Sequence, residues 1–344
     1  MNSTGYRGRV AVTGASGFLG SALCRMLLEK RISVRAVHRR PSTPPVLAVL
    51  EEAAARRGQE LTVVRADLET VDGARRAVEG CTAVIHAAAR VMDWGTEEQF
   101  LRANRDATGM LLDAAETAGC TRFVSVGTTG VHGLQGHRGT TEAGPYYGGL
   151  NPYQRSKRLG EKAVLARNRH GFTTTSLRMG YLYGPGDTTS TYRMFRAIER
   201  GAFGWIGDGA ARTSMIYVED ACAALCAALT SPHVAGQCFN ITDGGAVTWK
   251  DLVTEMHRAL GSRRKPRGVP KPVALALAGL LTAGAHIVGS RRGPPLNAYR
   301  VRRSTTDCVF SNKKARELLG FRPTVTVAEG LTRAAAAYRS SKNS

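Results

Sequence analysis

The order of apolar and polar residues divides the first two thirds of the chain into short and long segments. Short apolar runs rich in Val and Ile are bounded by turn residues and predict buried strands, at Val10–Thr13, Ser33–His38, Leu61–Arg65, Ala83–Ala87, Arg122–Gly127 and Thr174–Arg178. Longer stretches of helical periodicity lie between them, as at Phe18–Lys30, Glu97–Ala118 and Pro152–Arg169. Strands that alternate with helices form parallel βαβ units, so the pattern predicts an α/β fold with a doubly wound parallel sheet.

The pattern changes after Gly184, where glycine and proline become more frequent and the strand rhythm loosens. Further elements are predicted as helices at Thr191–Arg200, Val218–Leu229, Trp249–Leu260 and Ser311–Leu319 and as a strand at Gln237–Ile241. We therefore expect a smaller, mostly helical C-terminal lobe whose segments interleave with the sheet. The last residues, Ser340–Ser344, are expected to form a loose tail.

The charge of the chain is strongly positive, because 48 Lys and Arg residues face 27 Asp and Glu residues and leave a net charge of +21. Much of the excess lies between Met256 and Thr306, a stretch with no acidic residue and with basic residues at Arg258, Arg263, Arg264, Lys265, Arg267, Lys271, Arg291, Arg292, Arg300, Arg302 and Arg303. Nucleic-acid surfaces interleave such charges with aromatic residues, and Tyr299 is the single aromatic residue here. No nucleic-acid partner is expected.

The seven cysteines are scattered singly, without a CxxC pair. Cys222 and Cys226 lie one helical turn apart in an apolar run, which indicates packing rather than chemistry. Neither a disulfide framework nor a metal site is predicted. A short polar lead from Met1 into the first strand leaves no room for a signal peptide, so a cytoplasmic location is expected.

One apolar run, Val273–Gly289, has 17 uncharged residues, fewer than the roughly 20 that a membrane-spanning helix needs. Pro270 and Pro272 precede it, and Arg291 and Arg292 follow it. A helix here could line a hydrophobic pocket, or it could rest on a membrane surface with its basic flanks at the headgroups. We favour the pocket and keep a weak membrane-surface association through the basic C-terminal lobe as the alternative.

A glycine-rich segment, TGASGFLG at Thr13–Gly20, joins the first predicted strand to the first predicted helix. Its three glycines permit a tight turn, close approach of the backbone to a pyrophosphate, and close packing of helix on strand. The N-terminus of the helix directs free N–H groups and its positive dipole end at the phosphates. The segment therefore predicts a dinucleotide site formed by Gly14, Ser16, Gly17, Phe18, Leu19 and Gly20.

The second predicted strand runs into Arg39 and Arg40, and no acidic residue lies between Glu29 and Glu51. An acidic residue at this place would bind both ribose hydroxyls of NAD. Arg39, helped by Arg40, can instead meet a 2′-phosphate with charge-assisted hydrogen bonds. NADP(H) is therefore the expected cofactor, and NAD(H) is the alternative.

Tyr153 and Lys157 form a YxxxK pattern on a predicted helix. A spacing of four places the phenol and the ammonium group on one face, one turn apart. A free tyrosine has a pKa of about 10, and a nearby cation together with a positively charged nicotinamide favours its phenolate. Tyr153 is therefore predicted to donate or accept a proton near neutral pH.

Together these motifs resemble the short-chain dehydrogenase/reductase superfamily, specifically its extended branch, in which a Rossmann-type sheet carries the GxxGxxG spacing and the YxxxK pair. The resemblance implies that Tyr153 exchanges the proton of the substrate oxygen, while Lys157 biases Tyr153 and holds the nicotinamide ribose. Counting back from Val131 places Thr128 at the catalytic Ser/Thr position, where its hydroxyl would orient the carbonyl. Thr129 and Ser125 are the alternatives if the register slips.

The resemblance also implies roles for residues whose own pattern is weak. Asn104 matches the asparagine that connects Lys157 to solvent through a water relay. The pair Asp67 and Leu68 resembles an adenine-binding pair, and the run Ala87, Ala88 and Ala89 matches the small-residue turn beside the cofactor. A homodimer through the helices at Glu97–Ala118 and Pro152–Arg169 is likewise implied by the resemblance alone.

Three features favour a lipophilic substrate within the extended branch. The segment LRMGYLYGPGD at Leu177–Asp187 resembles the 3β-hydroxysteroid dehydrogenase and dihydroflavonol-reductase-like group, with Met179 in place of its usual proline. The Arg-Asp pair that holds the diphosphate in sugar-nucleotide members is missing before Val218, although Arg212 lies one place away and could still reach a phosphate. The apolar run Val273–Gly289 suits an apolar ligand better than a sugar nucleotide.

We therefore expect residues 1–185 to form the dinucleotide-binding domain, with 214–245 returning to it, and residues 186–213 and 246–340 to form the substrate lobe. The expected activity is NADP(H)-dependent interconversion of a ketone and a secondary alcohol on a lipophilic or polyketide-like substrate. One alternative is a nucleotide-sugar epimerase or dehydratase with internal redox on bound NAD. The other is a non-catalytic dinucleotide-binding protein.

Overall fold

A seven-stranded sheet flanked by helices forms the centre of the protein, which the computed structural model describes over residues 6–290 and 293–343. The predictions for Arg291, Arg292 and Ser344 lie outside the described residues. The strands are β1 (Arg9–Thr13), β2 (Ser33–His38), β3 (Leu61–Arg65), β4 (Ala83–His86), β5 (Arg122–Thr128), β6 (His137–Thr140), β7 (Thr173–Met179), β8 (Tyr181–Tyr183), β9 (Trp205–Ile206), β10 (Arg212–Thr213), β11 (Met215–Tyr217), β12 (Gln237–Ile241), β13 (Val247–Thr248), β14 (Gly268–Val269) and β15 (Cys308–Phe310).

The helices lie between these strands and after them. They are α1 (Phe18–Glu29), α2 (Pro45–Arg56), α3 (Val71–Val78), α4 (Glu97–Leu101), α5 (Ala107–Thr117), α6 (Pro152–Ala166), α7 (Thr191–Glu199), α8 (Val218–Thr230), α9 (Trp249–Leu260), α10 (Lys271–Ile287), α11 (Ala298–Ser304), α12 (Lys313–Leu318) and α13 (Val327–Asn343). A π-helical turn at Arg102–Asp106 connects α4 to α5, and short 3-10 turns lie at Thr129–His132 and Pro232–Val234.

The central sheet has the order β12-β7-β5-β4-β1-β2-β3, and all its neighbouring strands are parallel. The chain moves outward from β1 to β3 and then crosses back to β4, so the winding direction reverses between β1 and β4. This is the doubly wound, Rossmann-type α/β sheet predicted from the sequence. In such sheets the ligand crevice lies at the carboxyl ends of the strands, at the point of reversal.

The apolar strands are continuous because both faces of the sheet are buried. In β1, Val10 and Val12 pack into a core cluster shared with Leu23 of α1 and Leu225 of α8. Ala11, between them, points to the opposite face and packs into a second cluster that includes helices α3 and α5. Successive residues of one strand therefore contribute to two separate cores.

The C-terminal lobe is mostly helical, as expected, and it also contains short strands that the periodicity does not predict. A four-stranded sheet in the order β13-β10-β15-β6 joins segments from distant parts of the chain, and β14 pairs with β9 beside it. These strands have two to four residues each, which is too short for an alternating pattern to be recognised. The domain boundaries expected from the sequence stay a prediction.

The helix predicted over Glu97–Ala118 is present as far as Thr117, with the π-helical turn inside it. One local prediction is wrong. The tail expected at Ser340–Ser344 is instead the end of α13, as far as Asn343. Four buried residues anchor α13 at the i, i+3, i+4, i+7 spacing of a helix, namely Leu331, Ala334, Ala335 and Tyr338.

The apolar run Val273–Gly289 forms most of α10, but it does not pack as a buried pocket wall. Only Ala274 and Ala278 of this helix are buried, and most of its large apolar side chains face outward. Among the described helices, none is long and apolar enough to cross a membrane.

Candidate active site

The residues predicted to bind a dinucleotide follow successive strands of the central sheet. Because all seven strands are parallel, these positions share the carboxyl edge of the sheet. They lie between β1 and α1 (Gly14, Ser16, Gly17) and in the start of α1 (Phe18, Leu19, Gly20), after β2 (Arg39, Arg40), after β3 (Asp67, Leu68) and after β4 (Ala87, Ala88, Ala89). The structure thus collects them around the point of reversal between β1 and β4.

Each of the three glycines has a packing reason of its own. Gly14 has φ +68°, and a Cβ there would lie 2.8 Å from the backbone nitrogen of Ala88. A Cβ on Gly20 would lie 2.1 Å from the carbonyl oxygen of Gly14, so the first turn of α1 rests directly on this bend. Gly17 precedes α1 without a side-chain cap, and the first turn contains no acidic residue. The exposed N–H groups at this helix start therefore suit a pyrophosphate.

The alanine turn after β4 is fixed against the glycine turn. The Thr13 hydroxyl lies 2.8 Å from Nδ1 of the buried His86, and it accepts a hydrogen bond from the backbone N–H of Ala88 at 3.2 Å. His86 is kept neutral, because burial lowers its pKa to about 3. The close contact between Ala88 and Gly14 leaves the two turns side by side at the mouth of the crevice.

The end of β2 carries a group of positive charges. Arg39 and Arg40 are exposed. Burial lowers the pKa of the neighbouring His38, and the charges of Arg65 and Arg40 lower it further. Glu69 lies 3.7 Å from Arg39, but its other oxygen lies 2.6 Å from Arg102, so this carboxylate is shared between two arginines. The site therefore keeps a positive excess that suits a phosphate group.

Asp67 and Leu68 occupy the turn from β3 to α3. The Asp67 carboxylate accepts a hydrogen bond from the N–H of Glu69 at 3.1 Å, and the Asp67 backbone oxygen accepts one from the Thr70 hydroxyl at 2.9 Å. Thr70, not Asp67, caps α3 by accepting from the N–H of Gly73. Asp67 is thus exposed at the crevice edge, and its adenine-binding role stays a prediction.

Helix α6 brings the predicted catalytic tyrosine next to the end of β5. Asn151 and Gln154 form a capping box at the start of α6, and the Gln154 side chain also donates to the carbonyl oxygen of Gly130 at 2.9 Å. Through these contacts the first turn of α6 is tied to the turn that follows Thr128. The Thr128 hydroxyl is a hydrogen-bond partner of the Tyr153 phenol and lowers its pKa.

The environment of Tyr153 favours its neutral form. Burial is the largest influence and raises the pKa of the phenol well above its ordinary value, while Thr128 and the charge of Arg303 act in the opposite direction. The ring packs edge-on against Phe100 of α4, with the ring centroids 6.3 Å apart. A neutral phenol can donate a proton, so the site by itself favours the donor role.

The structure separates the three candidates for the catalytic hydroxyl. Thr129 is buried, and its hydroxyl points to the carbonyl oxygen of Met179 at 3.4 Å. Ser125 is buried within β5, three residues before the end of the strand at Thr128. Of these three hydroxyls, that of Thr128 is the hydrogen-bond partner of the Tyr153 phenol, so the structure favours the register predicted first.

Lys157 lies one turn beyond Tyr153 on α6 and is 9% exposed. Its Nζ donates a hydrogen bond to the carbonyl oxygen of Val126 at 2.7 Å, which directs the side chain along β5. Burial lowers the pKa of Lys157 to about 8, and the nearby Glu161 opposes this shift. The lysine therefore titrates close to neutral pH and can exchange a proton there.

Asn104 is buried in the π-helical turn, and its side-chain bonds join three elements. Its Nδ2 donates to the Ser156 hydroxyl at 3.0 Å and to the carbonyl oxygen of Arg90 at 3.2 Å, and its Oδ1 accepts from the N–H of Arg90 at 2.8 Å. Ser156 lies between Tyr153 and Lys157 on α6. Asn104 thus helps to position α6, and the expected relay to Lys157 stays a prediction.

The structure adds a group of residues that the sequence analysis did not assign to the site. Tyr299 and Arg303 of α11 both act on the pKa of Tyr153, and the Arg303 guanidinium lies over the Tyr181 ring, 5.4 Å from its centroid. In the sequence, Arg303 is one of the basic residues between Met256 and Thr306. Its spacing of four from Tyr299 on one helix face was the available signal.

Arg303 makes no ion pair with a carboxylate of the described residues. It is partly buried, and besides burial the influences on its pKa come from Cys308, Tyr299 and Tyr181. Its neighbour Arg300 differs, because it is paired with Asp93 at 2.6 Å. The Tyr153 end of the crevice therefore contains a cation without a protein counter-ion.

An open groove of about 1270 Å³ lies elsewhere on the C-terminal lobe. Its lining includes Arg138, Arg212, Asp307 and Lys271, and none of the predicted catalytic or cofactor residues. Arg212 belongs to this groove, where its backbone N–H donates to Asp307 at 2.9 Å. The lining of the groove therefore does not include Tyr153 or the other predicted site residues.

A Rossmann-type sheet whose crevice joins a glycine turn to a Thr-Tyr-Lys set defines an NAD(P)-dependent short-chain dehydrogenase/reductase of the extended type. The model of the NAD dependent epimerase/dehydratase family matches residues 10–242, and the chain belongs to this family.

Three proteins illustrate the range of its relatives. The chain is 30% identical over 335 residues to the 2-alkyl-3-oxoalkanoate reductase of Stenotrophomonas maltophilia, covering 94% of this chain and 98% of that protein. It is 30% identical over 345 residues to a 3 beta-hydroxysteroid dehydrogenase/Delta 5-->4-isomerase of Mycobacterium tuberculosis, covering 94% and 89%. Among solved structures, MoeE5 in complex with UDP-glucuronic acid and NAD has a TM-score of 0.75 and 26% identity, covering 97% of this chain and 100% of that one.

Proposed function

We propose that the protein is an NADP(H)-dependent ketoreductase that acts on a lipophilic ketone bearing a carboxylate. The observation that carries the proposal is the neutral phenol of Tyr153, held by the Thr128 hydroxyl within reach of the positive charge of Arg303. A neutral phenol is the proton donor that reduction of a ketone needs. The relatives named as reductase and steroid dehydrogenase act at carbonyl or hydroxyl groups, which supports the same reaction type.

In this site the reduced dinucleotide would supply a hydride to the carbonyl carbon. The glycine turn and the start of α1 would hold its pyrophosphate, and Lys157 would hold the nicotinamide ribose. The hydroxyl of Thr128 donates a hydrogen bond to the carbonyl oxygen and orients it. Tyr153 then transfers its phenolic proton to the same oxygen, which completes the alcohol. Lys157, whose pKa is about 8, stabilises the phenolate left on Tyr153.

The preference for NADP(H) rests on the end of β2. Arg39 and Arg40 are exposed there, and the neighbouring Glu69 is shared with Arg102. A 2′-phosphate would find two guanidinium groups within this turn and no acidic residue on it. NAD(H) lacks that phosphate and would gain nothing from these arginines.

The carboxylate of the proposed substrate follows from Arg303. A partly buried guanidinium without a protein carboxylate is a recognition group for an anion, because arginine binds carboxylates through two parallel hydrogen bonds. The relative from Stenotrophomonas maltophilia is named for 2-alkyl-3-oxoalkanoates, which combine a ketone, a carboxylate and apolar chains. A 3-oxo acid of this kind would place its ketone at Tyr153 and its carboxylate at Arg303.

A nucleotide-sugar epimerase or dehydratase is the second candidate, favoured by the likeness to MoeE5 in complex with UDP-glucuronic acid and NAD. Such an enzyme returns the hydride to its product within each cycle and consumes no reductant. Arg212 could bind a diphosphate only if the nucleotide reached the open groove on the C-terminal lobe. The crevice itself favours the ketoreductase.

The test follows NADPH absorbance with 2-alkyl-3-oxo acids, their methyl esters and neutral cyclic ketones, with NADH in parallel. We expect net oxidation of the reduced dinucleotide, at a higher rate with NADPH than with NADH. The free acids should be reduced faster than the esters and the neutral ketones. Tyr153→Phe should keep NADPH binding and lose turnover, whereas Tyr6→Phe, which removes one hydroxyl bonded to Thr82 at the far edge of the sheet, should stay active. No oxidation with either dinucleotide, and cofactor released only on denaturation, would favour the epimerase instead.

A further inference from the structure

Helix α10 has two faces with different surroundings. Ala274 and Ala278 are buried against Val301 of α11, together with the partly buried Ile206 and Leu296. A second, exposed face carries Val273, Leu277, Leu280 and Ile287, and Val288 continues it just after the helix. At 100° per residue these five positions fall within about 100° of the helix circumference. Alanine and glycine fill the rest of this face, so no polar side chain interrupts it.

The exposure of this face is large for apolar residues. Leu280 is 73% exposed, Val288 is 75% exposed and Ile287 is 85% exposed. Single exposed apolar residues are common on soluble proteins, but a continuous apolar stripe marks an interaction surface. The stripe extends along the whole of α10, from Val273 to Ile287, which is four turns of helix.

The helix is held in place at its C-terminal end. The Trp94 and His286 rings are 4.6 Å apart, and the Trp94 indole N–H donates to the carbonyl oxygen of Ser290 at 3.0 Å. Gly293 also lies against Trp94, since a Cβ there would be 2.7 Å from the Cβ of Trp94. These contacts fix the orientation of α10, so its apolar face is presented outward by the fold.

Positive charge surrounds the start of the helix. Exposed basic side chains lead into it at Arg263, Arg264, Lys265, Arg267 and Lys271. The sequence has no acidic residue from Met256 to Thr306. Asp93, from the loop that packs on α11, is already paired with Arg300. An apolar stripe that follows a basic segment is complementary to a surface that is anionic outside and apolar beneath.

We propose that α10 and the basic segment 263–271 bind the surface of an anionic membrane, with the stripe from Val273 to Val288 at the boundary between headgroups and acyl chains. The helix lies in the plane of the surface, because its other face is packed on the protein and its length does not suffice to span a bilayer. The proposal does not depend on the ketoreductase assignment.

A second copy of the chain fits this surface less well than a lipid surface. In a two-fold dimer the same patch meets itself, so two copies of the segment 263–271, each without an acidic residue of its own, would approach each other. Anionic headgroups instead neutralise these charges. The position of α10 also suits a lipophilic substrate, because α10 packs directly on α11, which carries Tyr299 and Arg303.

The experiment is flotation of the full chain with two kinds of vesicle, one of phosphatidylcholine alone and one of equal parts phosphatidylcholine and phosphatidylglycerol. We expect the protein to float with the anionic vesicles, to stay at the bottom with the neutral ones, and to bind less as salt screens the charges. The double variant Leu277→Glu/Leu280→Glu should lose most of the vesicle-bound fraction. Both positions are exposed, so the fold and NADPH binding should be kept, as measured by circular dichroism and nicotinamide fluorescence.

Val49→Glu is the matched control, since Val49 is 64% exposed on α2 and outside the proposed surface. It should float as the unaltered protein does. The proposal is overturned if the unaltered protein stays at the bottom with both vesicles, or if the double variant floats equally well. It is also overturned if size exclusion shows a dimer that the double variant converts to a monomer while neither protein floats, because α10 would then be an interface between copies.

Discussion

Burial acts on Tyr153 and Lys157 in opposite directions and favours the neutral form of both. The pKa of the phenol is raised, and the pKa of the ammonium group is lowered to about 8, because neither charge is well solvated in the crevice. The positive charge of Arg303 opposes the shift of Tyr153. The acid-base pair is therefore sensitive to any charge that enters the crevice, including that of a substrate.

Arg303 is expected to determine the preference for a carboxylate. Arg303→Met should raise KM for a 3-oxo acid by roughly 10- to 100-fold, because a charge-assisted hydrogen-bonded pair contributes about 1.5–3 kcal/mol. The methyl ester of the same acid should be reduced at nearly the original rate. Arg302→Met, at the exposed neighbouring position, is the control and should change neither value. Equal losses on acid and ester would show that Arg303 supports the fold of the site instead.

Arg39 is expected to determine the choice of cofactor. Arg39→Ser should weaken NADPH binding by roughly 10-fold and leave NADH binding unchanged, since only NADPH offers a 2′-phosphate for a charge-assisted hydrogen bond. Arg56→Ser, on the exposed end of α2, is a control for the loss of one positive charge. Dissociation constants from nicotinamide fluorescence would measure the change. A parallel loss for NADH would contradict the assignment.

At the scale of elements, α6 and β7 are joined by a buried ion pair beneath the active site. Arg178 and Glu161 are 2% and 6% exposed, and the shortest N–O distance between them is 2.7 Å. Arg178 also donates to the hydroxyl of Tyr146 and to the carbonyl oxygen of Glu142, and Ser176 donates to Glu161. This network fixes α6, and with it Tyr153, against the sheet.

Removing one partner of this pair should be costly. Glu161→Gln leaves the buried guanidinium of Arg178 without a counter-charge, and we expect a loss of about 3–5 kcal/mol in the free energy of unfolding. Glu97→Gln breaks the exposed pair with Arg155 and should cost less than about 1 kcal/mol. Urea unfolding of both variants measures the difference. Similar losses in the two would show that the network is not buried in solution.

The contact between the glycine turn and α1 gives a second prediction for an element. Gly20→Ala should destabilise the protein and abolish dinucleotide binding, since its Cβ would lie 2.1 Å from the carbonyl oxygen of Gly14. Gly109→Ala, inside α5 with nothing within 4 Å of its Cβ, should instead stabilise the protein by about 0.5–1 kcal/mol. Thermal unfolding and NADPH fluorescence test both. A well-folded Gly20→Ala variant that binds NADPH normally would contradict the turn geometry.

At the scale of the whole molecule, two buried histidines, His86 and His132, are held neutral in the interior of the protein. His86 lies under the alanine turn. His132 donates from Nδ1 to the carbonyl oxygen of Pro145 and accepts at Nε2 from the Arg178 guanidinium. Burial lowers the pKa of His86 to about 3 and that of His132 to about 4. Both residues remain uncharged at neutral pH, and protonation would place a positive charge in the interior.

Stability should therefore fall in mild acid. Below about pH 6.5 these histidines take up protons in the unfolded chain but not in the folded protein, so the free energy of unfolding decreases as pH falls toward 4. At pH 5 each histidine should account for a loss of about 2 kcal/mol. Melting temperatures between pH 7 and 4.5 would measure it, and His132→Gln should show a shallower decrease. An unchanged slope in His132→Gln would exclude this residue as a cause.

The sequence alone was sufficient to predict those elements and groups whose interactions are with residues close to them in the chain. The strands of the central sheet, the glycine turn and the Tyr153–Lys157 helix face were predicted because apolar runs, glycines and a spacing of four record local geometry. The family model and the parallel sheet confirm the fold class and the superfamily. The homodimer and the cytoplasmic location stay predictions.

Contacts between distant segments were decided only by the tertiary structure. In the sequence, Arg303 is one of many charges in a basic stretch. It lies near Tyr153 only because the fold packs α11 close to a residue that is 150 positions earlier in the chain. The short strands β6, β10, β13 and β15 form only because segments that are distant in the chain pair with one another in one sheet. The sequence of Val273–Gly289 shows that α10 is apolar, but it does not show which face of the helix is buried. Burial depends on the residues that pack against the helix, and these come from other parts of the chain.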